Sequence, residues 1–238
     1  MKAYVGIDDT DIIGSPMGTG KLARALEQKL PPGCHLWAVA RQQLLQSEAI
    51  PYTSHNSAAC LILELDAPAS MPALIETTIR HVEALAVEGS DPGVCAFIEK
   101  NGGPQELLEF GRICTQRKVS QEEALNATKG LHLSGHGGTN DGIIGAAAAV
   151  GLTASGWNGR FIEFGRLRDL PERIQVARLN EKGIQVMSID RDARVPAPDD
   201  WINTRGWVRP RLVGHMPVLL VRPVHDGEWE NIGKKRKK

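Results

Sequence analysis

The sequence predicts an α+β fold in two domains, and three observations lead to this prediction. Residues 3–98 show strand and helix patterns in the order β-α-β-β-α-β, which is typical of a split α/β sandwich. After the turn Asn101-Gly102-Gly103-Pro104, helical and strand patterns begin again. The chain has 238 residues, 42% of them hydrophobic, so it can bury a sizeable core.

Apolar periodicity places the elements of the first half. Alternating or continuous apolar residues predict strands, whereas apolar residues three or four positions apart predict helices. The first helical pattern is closed by Pro31-Pro32-Gly33. We expect strands at residues 3–7, 35–40, 57–65 and 94–98, and helices at residues 22–30 and 71–86.

The second half shows the same alternation of patterns. Ser120 precedes a helical pattern and Glu123 stands three residues later, which indicates a capping box. We expect helices at residues 105–117, 121–128 and 142–150, and strands at residues 131–133, 161–166, 184–189 and 217–221. The predicted domains are residues 1–110 and residues 111–226, followed by a basic tail at residues 227–238.

The charge distribution does not favour a general binder of phosphate backbones. The chain has 28 basic and 28 acidic residues, but five basic residues form the run Lys234-Lys235-Arg236-Lys237-Lys238. Without that run the balance is 23 minus 28, or −5, so the body of the chain is mildly acidic. The run itself is either a solvated terminus or a contact for a polyanion.

The sequence gives no sign of a membrane or secretory protein. No segment approaches the roughly 18 consecutive apolar residues of a membrane span, and the first residues lead directly into a strand. The four cysteines are widely spaced, which predicts buried thiols rather than a zinc site or a disulfide framework. We therefore expect a cytoplasmic protein with no membrane partner.

The first stretch that could carry chemistry is the acidic run Asp8, Asp9 and Asp11, directly after a short apolar strand. Neighbouring carboxylates repel each other, so their convergence at a turn implies a compensating cation. Hard oxygen ligands of this kind favour Mg²⁺ together with substrate phosphates. The alternative is a solvated turn in which Thr10 or Asp11 caps a helix.

The second stretch is the glycine-rich segment 14–21, which precedes the first helix. It is not a P-loop, because five residues separate Gly14 from Gly20 where that motif has four. Glycines before a helix N-terminus can still form an anion site, to which Thr19 would add a hydroxyl and Lys21 a cation. A plain helix-entry turn is the alternative.

The third stretch, residues 134–147, places another glycine loop before a helix of small residues. Gly137, Gly138 and Gly142 allow the backbone to approach a ligand closely. Asn140 and Asp141 either cap the helix or face a nucleotide or metal. Two such loops suggest a phosphate group held between the two halves of the chain.

Together these residues resemble a known family. The matching stretches occur in family order: Gly6-Ile7-Asp8-Asp9-Thr10-Asp11, Met17-Gly18-Thr19, Ile50-Pro51-Tyr52 with Asn56, Asp91-Pro92-Gly93, residues 135–145 and Pro217-Val218-Leu219-Leu220. The chain is similar in these stretches to archaeal tRNA(Ile) 2-agmatinylcytidine synthetase, an ATP-dependent enzyme that modifies an anticodon cytidine.

The resemblance implies a kinase-like N-terminal domain followed by a ferredoxin-like domain, with ATP and Mg²⁺ as cofactors. It also implies that Asp8, Asp9 and Asp11 are catalytic metal ligands and that Thr19 matches a threonine that becomes phosphorylated. The remaining implied site residues are Thr10, Gly18, Lys21, Gly137, Gly138, Asn140, Asp141 and Gly142 for the nucleotide, and Tyr52, His55 and Asn56 for the substrate.

The sequence also departs from the family pattern. A family cysteine and a second threonine are replaced by Gly18 and Gly20, and the sequence ends without the family's oligonucleotide-binding domain and zinc ribbon. We therefore expect an ATP- and Mg²⁺-dependent phosphoryl-transfer enzyme whose acceptor is an RNA or a small molecule. The alternatives are tRNA agmatinylation with a partner RNA-binding chain, or a nucleotide- or RNA-binding module without turnover.

Overall fold

The computed structural model describes residues 1–50, 52–53, 55–100 and 103–233. The chain divides into two compact units, of which unit 1 spans Met1–Ser155 and unit 2 begins at Gly156. The basic run at residues 234–238 lies outside the described residues, so its role stays a prediction. Within the described ranges, every helix is too short or too polar to span a lipid bilayer.

Unit 1 consists of an antiparallel sheet and the helices that cover it. Its elements are β1 Lys2–Asp8, α1 Thr19–Ala25, β2 Cys34–Gln43, β3 Ser57–Leu65, α2 Met71–Leu85, β4 Gly93–Ile98, α3 Gln105–Ile113, α4 Gln121–Ala127, β5 His132–Gly135 and α5 Gly142–Ala154. The strand order is β5-β4-β1-β3-β2, and each neighbouring pair is antiparallel. The first six elements confirm the predicted β-α-β-β-α-β order.

Helix α5 lies close to the sheet because glycines form the contact. A Cβ atom on Gly6 of β1 would lie 2.1 Å from the carbonyl oxygen of Ala146, and one on Gly93 of β4 would lie 2.2 Å from the carbonyl carbon of Gly142. No side chain fits in such a space. Because side chains alternate along a strand, Asp8 shares the face of Gly6 and therefore also meets α5.

Local sequence signals account for several boundaries in unit 1. The Glu123 amide donates to the Ser120 hydroxyl over 3.2 Å and the Ser120 amide donates to the Glu123 carboxylate over 2.9 Å, so the predicted capping box starts α4. Helix α3 packs against α5, where a Cβ on Gly151 would lie 2.1 Å from the carbonyl oxygen of Leu107. All four cysteines are buried free thiols, as predicted.

Unit 2 is mostly short strands. Its elements are β6 Arg160–Glu163, β7 Arg173–Gln175, α6 Val176–Glu181, β8 Gln185–Ser188, β9 Trp201–Asn203, β10 Arg211–Val213, β11 Met216–His225 and β12 Glu228–Asn231. These strands pair in the order β6-β10-β11-β12-β9-β7, and β8 pairs in parallel with β11. The buried side chains of Ile202, Leu212 and Trp229 contribute to its core.

The compact units have different limits from the domains expected from sequence. The boundary expected between residues 110 and 111 falls within α3, and the packing of α3 on α5 keeps this helix in unit 1. The β-α-β-β-α-β order, which ferredoxin-like folds share, lies in unit 1, whereas the ferredoxin-like domain was expected at residues 111–226. Residues 228–231, expected in the basic tail, form β12, because Trp229 is buried and pairs opposite Pro223.

Candidate acidic site in unit 1

The acidic run lies where β1 ends. Asp8 is the last residue of β1, and the chain then turns at Asp9, whose φ of 52° lies in the left-handed region. A non-glycine residue held in that region costs roughly 1–3 kcal/mol and is typical of functional sites. The turn therefore places Asp9 away from the path of the strand.

Asp8 lies directly against α5. A Cβ on Gly145 would be only 1.6 Å from Oδ2 of Asp8, so the absence of a side chain at this position leaves the space for the carboxylate. Burial, and to a lesser degree the charges of Asp9 and Asp11, raise the pKa of Asp8 to about 7, although a hydrogen bond from the Asp9 backbone lowers it. Asp8 as a whole residue is half-buried.

Asp9 is surrounded by other carboxylates. Burial, together with the charges of Asp91, Asp11 and Asp141, raises its pKa to about 6. These residues come from three segments of unit 1: the end of β1, the loop before β4 and the loop before α5. Tertiary structure thus concentrates negative charge at one place in unit 1.

Asp11 is positioned by the first glycine-rich segment. Its Oδ1 accepts hydrogen bonds from the Thr19 amide and the Thr19 hydroxyl, each at 3.2 Å. The Thr10 hydroxyl donates to the Thr19 hydroxyl over 3.0 Å, and both threonines are buried. The Thr53 hydroxyl lies 3.5 Å from Oδ2 of Asp11, so the loop between β2 and β3 also reaches this carboxylate.

The second glycine loop encloses the carboxylate of Asp91. The Thr139 amide donates to Asp91 Oδ1 over 3.1 Å and the Thr139 hydroxyl donates to Oδ2 over 2.5 Å. A Cβ on Gly138 would lie 1.5 Å from Asp91 Oδ1. Gly142, at the start of α5, donates its amide to the carbonyl oxygen of Asp91 over 3.1 Å. The N-terminus of α5 is therefore hydrogen-bonded to Asp91.

The other expected loop residues lie beside this arrangement. Asn140 has a φ of 65°, and Asp141 accepts a 2.6 Å hydrogen bond from the side-chain amide of Gln121. Gly137 approaches the backbone of Ser90, where an added Cβ would be 2.9 Å from the carbonyl oxygen. Residues 137–142 belong to unit 1, as does the acidic run, so the structure does not divide the two loops between the two units as the sequence suggested.

Several expected site residues are engaged elsewhere. Gly18 is the N-cap of α1, and Lys21 is exposed and donates from Nζ to the carbonyl oxygen of Pro16 over 2.9 Å. Tyr52 is exposed and His55 is half-buried. Asn56 donates to the carbonyl oxygen of Leu45 over 2.6 Å, which fixes the connection from β2 to β3.

The donor set fits a single magnesium ion shared with phosphates better than a cage made of protein alone. Among residues 1–50, 52–53, 55–100 and 103–233, no group of three or more His, Cys, Asp or Glu side chains is arranged to hold a metal ion. Asp11 points to hydroxyl and amide donors instead. Mg²⁺ commonly uses one or two carboxylates and completes its shell with water and phosphate oxygens. Asp8 and Asp9 are the carboxylates that would hold such an ion.

Sequence reasoning did not assign two further groups to the site. Asp91 belongs to the Asp91-Pro92-Gly93 stretch, and its contacts with Thr139 of the second glycine loop were the missing information. His136 forms a chain of contacts, with Nδ1 at 3.0 Å from Glu83 and Nε2 at 2.7 Å from the Ser134 hydroxyl. Glu83 lies 53 residues away in sequence, so no local pattern indicates this contact.

Solved structures of enzymes named for their action on tRNA are similar to this chain. One of these is a tRNA fluorescent labeling enzyme, to which the chain is 26% identical with a TM-score of 0.52; the match covers 63% of this chain and 36% of that one. No protein-family model matches the sequence, and no curated protein sequence matches it either.

In particular, the chain is similar to TiaS, the agmatidine synthetase of an isoleucine tRNA. The apo enzyme is 26% identical with a TM-score of 0.50, and the match covers 63% of this chain and 35% of that one. The complex of TiaS with its isoleucine tRNA and ATP is also 26% identical, with a TM-score of 0.52 and coverage of 63% and 36%. These matches confirm the resemblance found in the sequence. The chain spans about a third of the length of these structures.

Proposed function

We propose that the protein is an ATP- and Mg²⁺-dependent phosphoryl-transfer enzyme that acts in tRNA modification, with its reaction at the acidic site of unit 1. The observation that carries the proposal is the neighbouring carboxylates Asp8 and Asp9 at the end of β1: burial, and the negative charges around each of them, raise their pKa values to about 7 and about 6. Such a pair destabilises an empty site, and a bound cation offsets the cost. The similarity to a TiaS–tRNA–ATP complex supports ATP and tRNA as the ligands.

The acidic surroundings make ATP binding dependent on metal. Asp9 is influenced by Asp91, Asp11 and Asp141, and these charges repel a triphosphate that arrives alone. Mg²⁺ held by Asp8 and Asp9 would neutralise charge on the phosphates and on the group being transferred. The glycine-rich segments 18–21 and 137–142 belong to the same unit and would hold the nucleotide with their backbone.

Thr19 is the acceptor that this chain itself offers. Its hydroxyl is buried and lies 3.2 Å from Oδ1 of Asp11. Asp11 would take the hydroxyl proton as the oxygen bonds to the γ-phosphorus of ATP, while the bond from that phosphorus to the bridging oxygen breaks and ADP leaves. Thr10 donates to the same hydroxyl and so leaves its proton directed at Asp11. Asp11 and Thr10 thereby orient Thr19, whereas Asp8 and Asp9 would bind the Mg²⁺ ion.

Nucleotide-induced thermal stabilisation tests the proposal. We expect ATP to raise the melting temperature of the wild type only when Mg²⁺ is present, since a ligand stabilises the state that it binds. The Asp8→Asn variant should lose this shift. The control Asp199→Asn, at an exposed carboxylate outside unit 1, should keep it. An equal shift with and without Mg²⁺, or no shift at millimolar ATP, would count against the proposal.

Phosphoryl transfer itself requires a separate measurement. After incubation with ATP and Mg²⁺, mass spectrometry should find a phosphate on Thr19 or on added tRNA, and Thr19→Val should abolish the first product only. Metal-dependent ATP binding without either product would instead favour a nucleotide-binding module without turnover.

A further inference from the structure

Unit 2 contains a small surface cleft that we call the arginine cleft. It is lined by Arg160, Arg209, Arg211, Leu220, Asn231, Ile232 and Gly233. The described residues that line it include three arginines and no acidic residue. All of them lie beyond Gly156, so the cleft is separate from the acidic site of unit 1.

Strand pairing places like charges together in this cleft. Arg211 of β10 lies directly opposite Arg160 of β6 in an antiparallel pair. Like charges at directly opposite positions destabilise a sheet. Burial lowers the pKa of the Arg160 guanidinium, and the neighbouring charge of Arg211 lowers it as well. The pairing of Arg160 with Arg211 therefore does not stabilise the sheet.

Arg209 adds a third cation on the same side. It precedes Pro210, and a residue before proline favours extended backbone. In extended chain, residues two apart share a face, so Arg209 and Arg211 project to the same side. Three cations in one cleft form a site for an anion with several oxygen atoms, and arginine is the side chain best suited to phosphate.

Other arginines of unit 2 show the usual arrangement. Six of them pair with carboxylates: Arg168 with Glu163, Arg173 with Glu228, Arg178 with Glu181, Arg194 with Asp190, and Arg205 and Arg222 both with Glu230. Within the described part of the chain, neither Arg160 nor Arg211 forms an ion pair. The carboxylates of unit 2 that form these ion pairs lie outside the arginine cleft, and no acidic residue is among the described residues that line it.

An aromatic residue beside the cleft favours a nucleic-acid strand as the source of the phosphate. The guanidinium of Arg209 lies 3.9 Å from the centroid of the Trp207 ring, which is partly exposed. Asn231 of the cleft donates to the carbonyl oxygen of Trp207 over 2.6 Å and fixes this segment. Stacked arginine and aromatic planes are surfaces on which unpaired bases of RNA lie.

We infer that the arginine cleft binds a backbone phosphate of an RNA strand through Arg160, Arg209 and Arg211. The choice of RNA rests on the proposed function, whereas the phosphate site rests on the strand pairing and the cleft. Because each phosphate contact releases bound counterions, the contribution of the cleft to RNA affinity must depend on salt.

Fluorescence anisotropy of a labelled tRNA over a series of KCl concentrations tests the inference in the full chain. We compare an Arg160→Gln/Arg211→Gln double variant with the charge-matched control Arg178→Gln/Arg194→Gln. The cleft variant should bind at least about tenfold more weakly, and its slope of log affinity against log salt should fall by about 1 to 2. The control should keep the wild-type slope.

Three results would overturn the inference: no tRNA binding by the wild type, equal losses in both variants, or, in a parallel titration with inorganic phosphate, a loss of phosphate binding with no loss of tRNA binding. The last would assign the cleft to a free phosphate compound. The tRNA titration contains no ATP, so its result does not depend on whether the protein binds ATP with Mg²⁺.

Thermal unfolding without RNA provides a second readout. Because Arg211→Gln removes the repulsion with Arg160, this variant should melt at a higher temperature than the wild type at low salt, and the difference should shrink as salt screens the charges. Arg211→Lys keeps the charge and should not melt higher. A lower melting temperature for Arg211→Gln would show that the pair is not repulsive and would contradict the inference.

Discussion

Neutralising Asp8 is expected to stabilise the protein in the absence of ligands above neutral pH. In the wild type this carboxylate is held against Gly145 and beside Asp9, and both burial and repulsion oppose its ionisation. The variant Asp8→Asn keeps the size of the side chain and removes the charge. It therefore isolates the electrostatic cost of the acidic site.

The expected magnitude follows from the pKa of Asp8. This pKa is raised from 3.8 to about 7, a difference of about 3 units. Each unit corresponds to about 1.4 kcal/mol, so ionised Asp8 costs at most about 4 kcal/mol of the free energy of unfolding. Because Asp8 is half-buried as a residue, solvent reduces this value, and we expect a gain of about 2–4 kcal/mol for Asp8→Asn at pH 8.

The pH dependence has a definite sign. Because the folded state holds the Asp8 proton more tightly than the unfolded state, the stabilising effect is complete below about pH 4 and disappears as the pH rises through about 7. The wild type should therefore lose stability relative to Asp8→Asn between these limits. The raised pKa of Asp9, about 6, acts in the same direction.

Urea unfolding at a series of pH values without Mg²⁺ measures this difference. The two proteins should have similar stability near pH 4 and diverge toward pH 8, and Asp199→Asn should follow the wild type throughout. If Asp8→Asn were no more stable than the wild type at pH 8, the carboxylate would not be under electrostatic strain. The argument for a cation at this site would then fail.

Two other substitutions probe the site and the fold. Gly145→Ala should fold, since alanine favours a helix, but its Cβ would displace the Asp8 carboxylate. Isothermal calorimetry should therefore show weaker binding of Mg²⁺ with ATP. Unchanged affinity would place the metal elsewhere. Ser120→Ala should lower the free energy of unfolding, measured with urea, by about 1 kcal/mol because the Glu123 amide loses its capping partner. An unchanged midpoint would show that the capping box does not stabilise the protein.

Local signals determined most of unit 1. The apolar run at residues 57–65 predicts a strand with the limits observed for β3, and Ser120 with Glu123 predicts the start of α4. Unit 2 was harder to predict because β7, β9 and β10 have three residues each. Strands this short exist through pairing with neighbours distant in sequence, and periodicity needs longer segments to be visible.

The sequence by itself determined which residues could bind an anion or a metal: the carboxylates after β1, the glycines around Thr19 and those before α5. Only the tertiary structure decided that Asp91 joins Asp9 and that Gly145 makes room for Asp8. It also decided that Arg160 faces Arg211. The physical reason is that charge repulsion and close packing depend on distances in space, and the chain brings these groups together only when it folds.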